Sequence, residues 1–251
     1  MRKVGLLGCG KIGKALINEL KIRQDAQILF VQAPHYVSEE GADYLVSRTA
    51  RPDLYGQTDL IIECATASAL EDNLDLILKN CDLLVFSITA FSRQDLMERA
   101  EKLCKDYGHT VYIPHGAILG LDGIFDGRKL WKEVSIETRK HPRSLGRNDA
   151  VASVVYEGTT REACALFPRN VNVHAAVAMA GIGFDRTRSR IISDPAVNTN
   201  EHTIMVKGDG IKFKIHVSSV AGGAVSGAYT PYSACGSLKR VLGNGKSIRF
   251  V

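Results

Sequence analysis

No apolar stretch in the 251-residue sequence approaches the roughly 20 residues that cross a bilayer. The N-terminus, MRKVGLLGCGKIG, lacks a signal-peptide cleavage pattern, because glycines break its apolar run at once. Six cysteines (Cys9, Cys64, Cys81, Cys104, Cys164 and Cys235) include no CxxC pair, which argues against zinc and disulfide frameworks. Most lie inside apolar runs, where a free cysteine behaves as a small hydrophobe. Charge is scattered too: Lys and Arg total 32 against 27 Asp and Glu, a formal +5, with no basic run. Nucleic-acid binding gains no support from this, whereas a mildly positive surface suits a small anionic ligand. There are no repeats and no low-complexity segments. What these absences leave is a reduced, cytoplasmic protein without membrane, nucleic-acid or metal partners. At 45% hydrophobic and 24% charged, the chain has the composition of one large domain or two intimate ones.

What is present is alternation. Lys3–Gly8, Gln27–Gln32, Asp59–Ala65, Asp82–Ser87 and Thr110–Pro114 are near-continuous apolar runs, as strands buried on both faces of a parallel sheet should be. Between them, Ile12, Leu16 and Leu20, then Leu70, Leu74, Ile77 and Leu78, then Leu96, Ala100 and Leu103 recur at helical spacing. This is the pattern of a doubly wound α/β sheet. After Pro114 the pattern changes. Glu133–Lys140 alternates apolar and polar residues like a strand with one wet face, and helices are expected over Thr160–Phe167 and Asn172–Ala180. Arg188–Ile192, His202–Val206 and Ile211–Val217 read as further antiparallel strands, with a hairpin turn near Gly208 and Gly210. Residues 1–115 are therefore expected to form one domain and 116–229 an α+β domain, with a last helix at about 230–245 returning to the first.

The strongest local signal is Gly8-Cys9-Gly10-Lys11-Ile12-Gly13, which follows a predicted strand and opens a predicted helix. There the first glycine permits a tight turn, the second admits a pyrophosphate and the third allows close helix–strand packing. The helix N-terminus offers its N–H groups and dipole to the phosphates, with Lys11 and Ile12 at its first turn. An acidic residue expected about 20 residues on, for the ribose, is missing. Gln32 or Ala33 stands there, with His35 close by, so the motif leaves NAD and NADP both open.

Of seven histidines, His109 and His216 look structural. His115 follows the fifth apolar run, at the sheet edge where ligands bind in open α/β sheets. His202 follows the polar stretch Asn198-Thr199-Asn200-Glu201, taken as a loop, and begins a strand. The imidazole of His202 would exchange protons near neutrality.

Together GLLGCGKIG, Pro114–Ile124, Phe167–Pro195 and Asn198–Gly208 resemble the L-aspartate dehydrogenase family over most of the chain. The resemblance implies a Rossmann-type doubly wound parallel sheet plus an α+β substrate and oligomerisation domain, in a homodimer or homotetramer. It also implies oxidation of L-aspartate, a small dicarboxylic amino acid, to iminoaspartate with NAD or NADP. The imine hydrolyses to oxaloacetate and ammonia or feeds NAD biosynthesis. Within Asn200-Glu201-His202, His202 matches the family's catalytic histidine; Ala117 and Asn172 match cofactor-contacting residues, although Asn172 also suits a helix N-cap. His115 and Asn200 are substrate candidates. Arg139, Lys140, Arg143 and Arg147 are possible partners for the substrate carboxylates.

Two departures stand out. His115 occupies a position where members often carry serine, and Thr230-Pro231-Tyr232-Ser233-Ala234 replaces an Asn-Pro-Lys-Thr-Ser run. Two alternatives therefore stay open: a related reductase acting on another amino acid, imine or carbonyl, and a non-catalytic dinucleotide sensor.

Overall fold

The computed structural model describes residues 1–38, 40–220 and 227–243, which build two sheets. The first is all parallel: β1 (Arg2–Leu7), β2 (Ala26–Gln32), β3 (Leu45–Ser47), β4 (Leu60–Glu63), β5 (Asp82–Val85) and β6 (Val111–Tyr112), in the order β3-β2-β1-β4-β5-β6. Helices α1 (Lys11–Lys21), α2 (Pro52–Tyr55), α3 (Ala67–Leu78) and α4 (Gln94–Tyr107) connect them, and a 3-10 turn, Ile88–Ser92, follows β5. The order reverses between β1 and β4, the place where an open α/β sheet leaves a crevice for a ligand. This is a Rossmann-type doubly wound sheet. The five expected strands are all present; β3 was not anticipated, because three half-exposed residues carry no apolar run.

The second sheet is mixed. After α5 (Leu121–Asp126) come β7 (Trp131–Lys140), β8 (Ser153–Thr159), α6 (Thr160–Leu166), α7 (Asn172–Ala180), β9 (Arg188–Ser193), β10 (Thr199–Gly208) and β11 (Ile211–Val220), in the sheet order β11-β10-β7-β9-β8. Strands β10 and β11 form the expected hairpin, Gly208 facing Ile211 across its turn. Two expectations need correction. Arg188–Ser193 runs parallel to β7, not antiparallel, because α6 and α7 cross over between the two strands; its antiparallel partner is β8, which the sequence did not announce. The stretch Thr199-Asn200-Glu201 is strand rather than loop, paired with β11 throughout and with β7 at Glu201.

Alternation along β7 and β10 decides what lies beneath this sheet. Side chains two apart share a face, so Val134, Ile136, Thr138 and Lys140 of β7 are all buried, as are Asn200, His202, Ile204 and Val206 of β10. Helix α7 is buried on nearly every side, lying against β7 and the 3-10 turn after β5. One apolar core consequently runs from Leu74, Val85 and Ile88 through Ala176 and Val177 to Ile136 and Ile204. Helix α8 (Thr230–Leu242), the last among the described residues, returns to the first sheet, burying Ala234 and Leu238 against Leu16, Ile17 and Leu20. Its expected residues 244–245 lie outside the described residues. No described helix is long and apolar enough to cross a membrane.

Candidate active site

A cavity of about 810 Å³ opens at the C-terminal edge of the parallel sheet. Gly10, Lys11 and Ile12 form one end; the loops after β4, β5 and β6 form the floor; Lys140, Asn172, Asn200, His202 and Thr230 close it from the other side.

The glycine loop has the shape that a dinucleotide requires. Gly8 lies at φ +97, and a Cβ there would come within 2.7 Å of the Ala65 backbone nitrogen. Gly13 packs on the loop itself, its would-be Cβ 2.9 Å from the Gly8 carbonyl and 3.1 Å from Cys64 Sγ. Gly10 is different: nothing lies within 4 Å of a Cβ placed there, and no side chain caps α1. The helix N-terminus is thus left bare toward the cavity, and these residues fit a pyrophosphate held by backbone N–H groups.

Below that loop sits a group that the sequence reading passed over. Glu63, the last residue of β4, is fully buried; it accepts the Ala65 N–H at 2.8 Å, the Ser87 N–H at 2.9 Å and the Ser87 hydroxyl at 2.8 Å. Burial pushes its carboxyl pKa up, and the hydrogen bonds from Ser87 and Ala65 oppose the shift. Two floor loops are thereby tied to one carboxyl. An acidic residue inside the apolar run LIIECA was its visible signal.

Gln32 behaves otherwise than expected. It is buried, its Oε1 accepting the Tyr55 hydroxyl at 2.8 Å, and it does not line the cavity. His35 is exposed and also stands outside the cavity wall. Asn172 is not an N-cap: it is the first helical residue of α7, and its Oδ1 accepts the Thr89 N–H at 3.1 Å. His115 and Ala117 line the cavity from the loop after β6; burial and the nearby Arg240 lower the pKa of His115.

The other half of the site is polar and buried. His202 is 3% exposed, and its Nδ1 lies 2.8 Å from Thr138 Oγ1, directly across the β10–β7 pair. Thr138 Oγ1 also lies 2.6 Å from Nε2 of His174, a fully buried histidine on α7 that sequence spacing did not single out. Burial, then the charge of Lys140, then His174, hold the His202 pKa well below the usual histidine range. Lys140 is buried beside them. Among the described residues its Nζ reaches only the Asn170 carbonyl, at 3.4 Å, and pairs with no carboxylate, and burial lowers its pKa to about 8. The other basic candidates are engaged elsewhere or outside the cavity: Arg139 pairs with Asp194 at 2.5 Å and Arg147 with Asp149 at 2.7 Å, while Arg143 does not line it. Among the described residues, no cluster of His, Cys, Asp or Glu could hold a metal ion.

Comparison with known proteins agrees with this geometry. A family model for the aspartate dehydrogenase C-terminal region matches residues 125–241, and one for the homoserine dehydrogenase NAD binding domain matches residues 8–114. The L-aspartate dehydrogenase of Archaeoglobus fulgidus is 35% identical, with 97% of each chain covered. That of Methanococcoides burtonii is 32% identical over 96% of this chain and 97% of its own. The crystal structure of aspartate dehydrogenase from Thermotoga maritima superposes with a TM-score of 0.79 at 27% identity, covering 100% of both chains. A dihydrodipicolinate reductase from Paenisporosarcina sp. shares the fold alone, with a TM-score of 0.55 at 12% identity over 96% of this chain and 93% of that one. The chain belongs to the L-aspartate dehydrogenase family.

Proposed function

We propose that this protein oxidises L-aspartate to iminoaspartate with NAD or NADP, the imine then hydrolysing to oxaloacetate and ammonia. One observation carries the reading: the bare helix N-terminus at Gly10, the imidazole of His202 and the buried cation of Lys140 all face one cavity. A nicotinamide dinucleotide, when bound, supplies the acceptor for the hydride that leaves Cα. Lys140 is a charge kept from water without a carboxylate partner among the described residues, so a substrate carboxylate that pairs with it recovers what desolvation cost. Thr230, at the start of α8, is buried with its Oγ1 unbonded among the described residues, a further donor for that end of the substrate.

His202 supplies the proton chemistry. An ammonium has no lone pair with which to expel a hydride, so the substrate amine first gives a proton to His202. Because its pKa is held low, the imidazole is neutral and able to take that proton. Once the imine has formed and His202 has released that proton through the cavity to solvent, the neutral imidazole can receive a proton from the water that attacks the imine. Confinement of substrate beside the dinucleotide loop makes the exchange effectively intramolecular.

A panel of amino acids, imines and carbonyl compounds with each dinucleotide, followed by nicotinamide absorbance, tests the reading. Aspartate should give the largest kcat/KM. The Thr230–Ala234 departure favours a second reading, a reductase for another amine or carbonyl, and turnover of such a compound in place of aspartate would establish that instead.

A further inference from the structure

His202 Nδ1 is the first member of a buried hydrogen-bonded chain. Beyond Thr138 Oγ1 and His174 Nε2, His174 Nδ1 lies 2.9 Å from Ser189 Oγ, Ser189 Oγ lies 2.8 Å from Thr160 Oγ1, and Thr160 Oγ1 lies 3.1 Å from the Thr187 carbonyl. Every side chain in it is at most 3% exposed. The chain runs from the cavity, through β7 and α7, to the start of α6.

Its far end fixes its direction. A carbonyl oxygen only accepts, so the single hydroxyl proton of Thr160 points at Thr187; reversed, two lone pairs would face each other in a dry interior. Ser189 must then donate to Thr160. With its proton spent, Ser189 accepts from His174 Nδ1. Burial and Lys140 lower the His174 pKa to about 3, so this imidazole is neutral and its Nε2 is an acceptor. Thr138 donates to it, and only the N–H of His202 Nδ1 can complete the sequence.

We infer that Thr138, His174, Ser189 and Thr160 are positioning residues that hold His202 as the Nδ1–H tautomer, leaving the Nε2 lone pair as its base. The inference rests on His202 being the acid–base group of the proposed reaction. Protonation at Nε2 disturbs none of these bonds, because Nδ1 still donates to Thr138 afterwards. The chain ends on a neutral carbonyl, so it selects a tautomer without lending the imidazolium a counter-charge.

Long-range proton–nitrogen spectra of the full chain with nitrogen-15-labelled histidine, bound to NAD, read which ring nitrogen carries the proton. The expected spectrum has His202 and His174 both protonated at Nδ1. Thr138→Val, which keeps the shape and removes the hydroxyl, should let the Nε2–H form of His202 appear. It should also cut kcat about tenfold or more, part of the ~10²–10⁴ that acid–base catalysis supplies, with the KM for NAD unchanged. Thr138→Ser should restore both. A wild-type His202 protonated at Nε2, or an unchanged tautomer in Thr138→Val, overturns the inference. The wild-type spectrum requires no turnover, so the Nδ1–H form in a protein inactive on aspartate would support the chain and defeat only the substrate assignment.

Discussion

Asn172 on α7 and Thr89 in the turn after β5 are joined by a hydrogen bond of 3.1 Å from the Thr89 backbone N–H to the Asn172 carboxamide oxygen. It pins the helix that carries His174 to the edge of the sheet that carries the glycine loop, at the cavity wall. Asn172→Ala should lower stability by about 1 kcal/mol and weaken NADH binding. Asn172→Asp, which keeps the acceptor, should retain the denaturation midpoint. Urea denaturation and fluorescence titration of NADH measure the two effects.

The glycines of the loop should separate folding from binding. Gly8→Ala forces a side chain into a left-handed backbone and against Ala65, so a loss of about 1–3 kcal/mol is expected. At Gly10 an added Cβ has no protein atom within 4 Å, so Gly10→Val should fold normally, while its branches block the pyrophosphate and raise the Kd for NADH roughly tenfold or more, about 1.4 kcal/mol. Thermal melts paired with NADH titrations would reveal any reversal of these assignments.

Removing the imidazole should leave the dinucleotide site untouched. For His202→Ala, turnover of aspartate is expected to fall by ~10² or more, with NADH affinity near that of the parent protein. A variant with undiminished kcat would remove His202 from the proton transfer.

Lys140→Met should raise the KM for aspartate roughly 10–100-fold, the range for a lost hydrogen bond to a charged group. In the parent protein the lysine is a cation below about pH 8 and loses its proton above it. KM should accordingly climb as pH rises through that value. The variant also lacks the charge that depresses His202, so the acid limb of its pH–rate profile should move upward.

Acid should unfold the protein early. The unfolded chain protonates its histidines below about pH 6.5, whereas His174 stays neutral in the folded protein down to about 3. Between those values the unfolded state binds more protons, so stability is complete above the upper value and lost as pH falls. Melting temperatures across this interval should decline, and the decline should be shallower in His174→Gln, which cannot titrate.

The parallel sheet was legible because burial on both faces writes itself as unbroken apolar runs, and the glycine loop because it stood between such a run and a helical stripe. Strands β3 and β8 were not, since short or half-exposed strands carry no such run. The site was readable only in part. His202 enters the proposed site through its segment's resemblance to a family, not through spacing. Lys140 was one of four interchangeable cations until the period-two alternation of Val134 and Ile136 was extended to Thr138 and Lys140, which turns both inward. His174 had no local signal; its role depends on helix α7 crossing a strand 36 residues away in the chain. Gln32 stood at the expected ribose position, but Tyr55, brought near by the fold, claims its oxygen.

The docking of α8 on α1 bears on how the protein is made. Leu16, Ile17 and Leu20 emerge from the ribosome well before Ala234 and Leu238, which cover them. The nascent parallel-sheet half therefore waits with a greasy flank open to water and to other chains until α8 arrives to cover it.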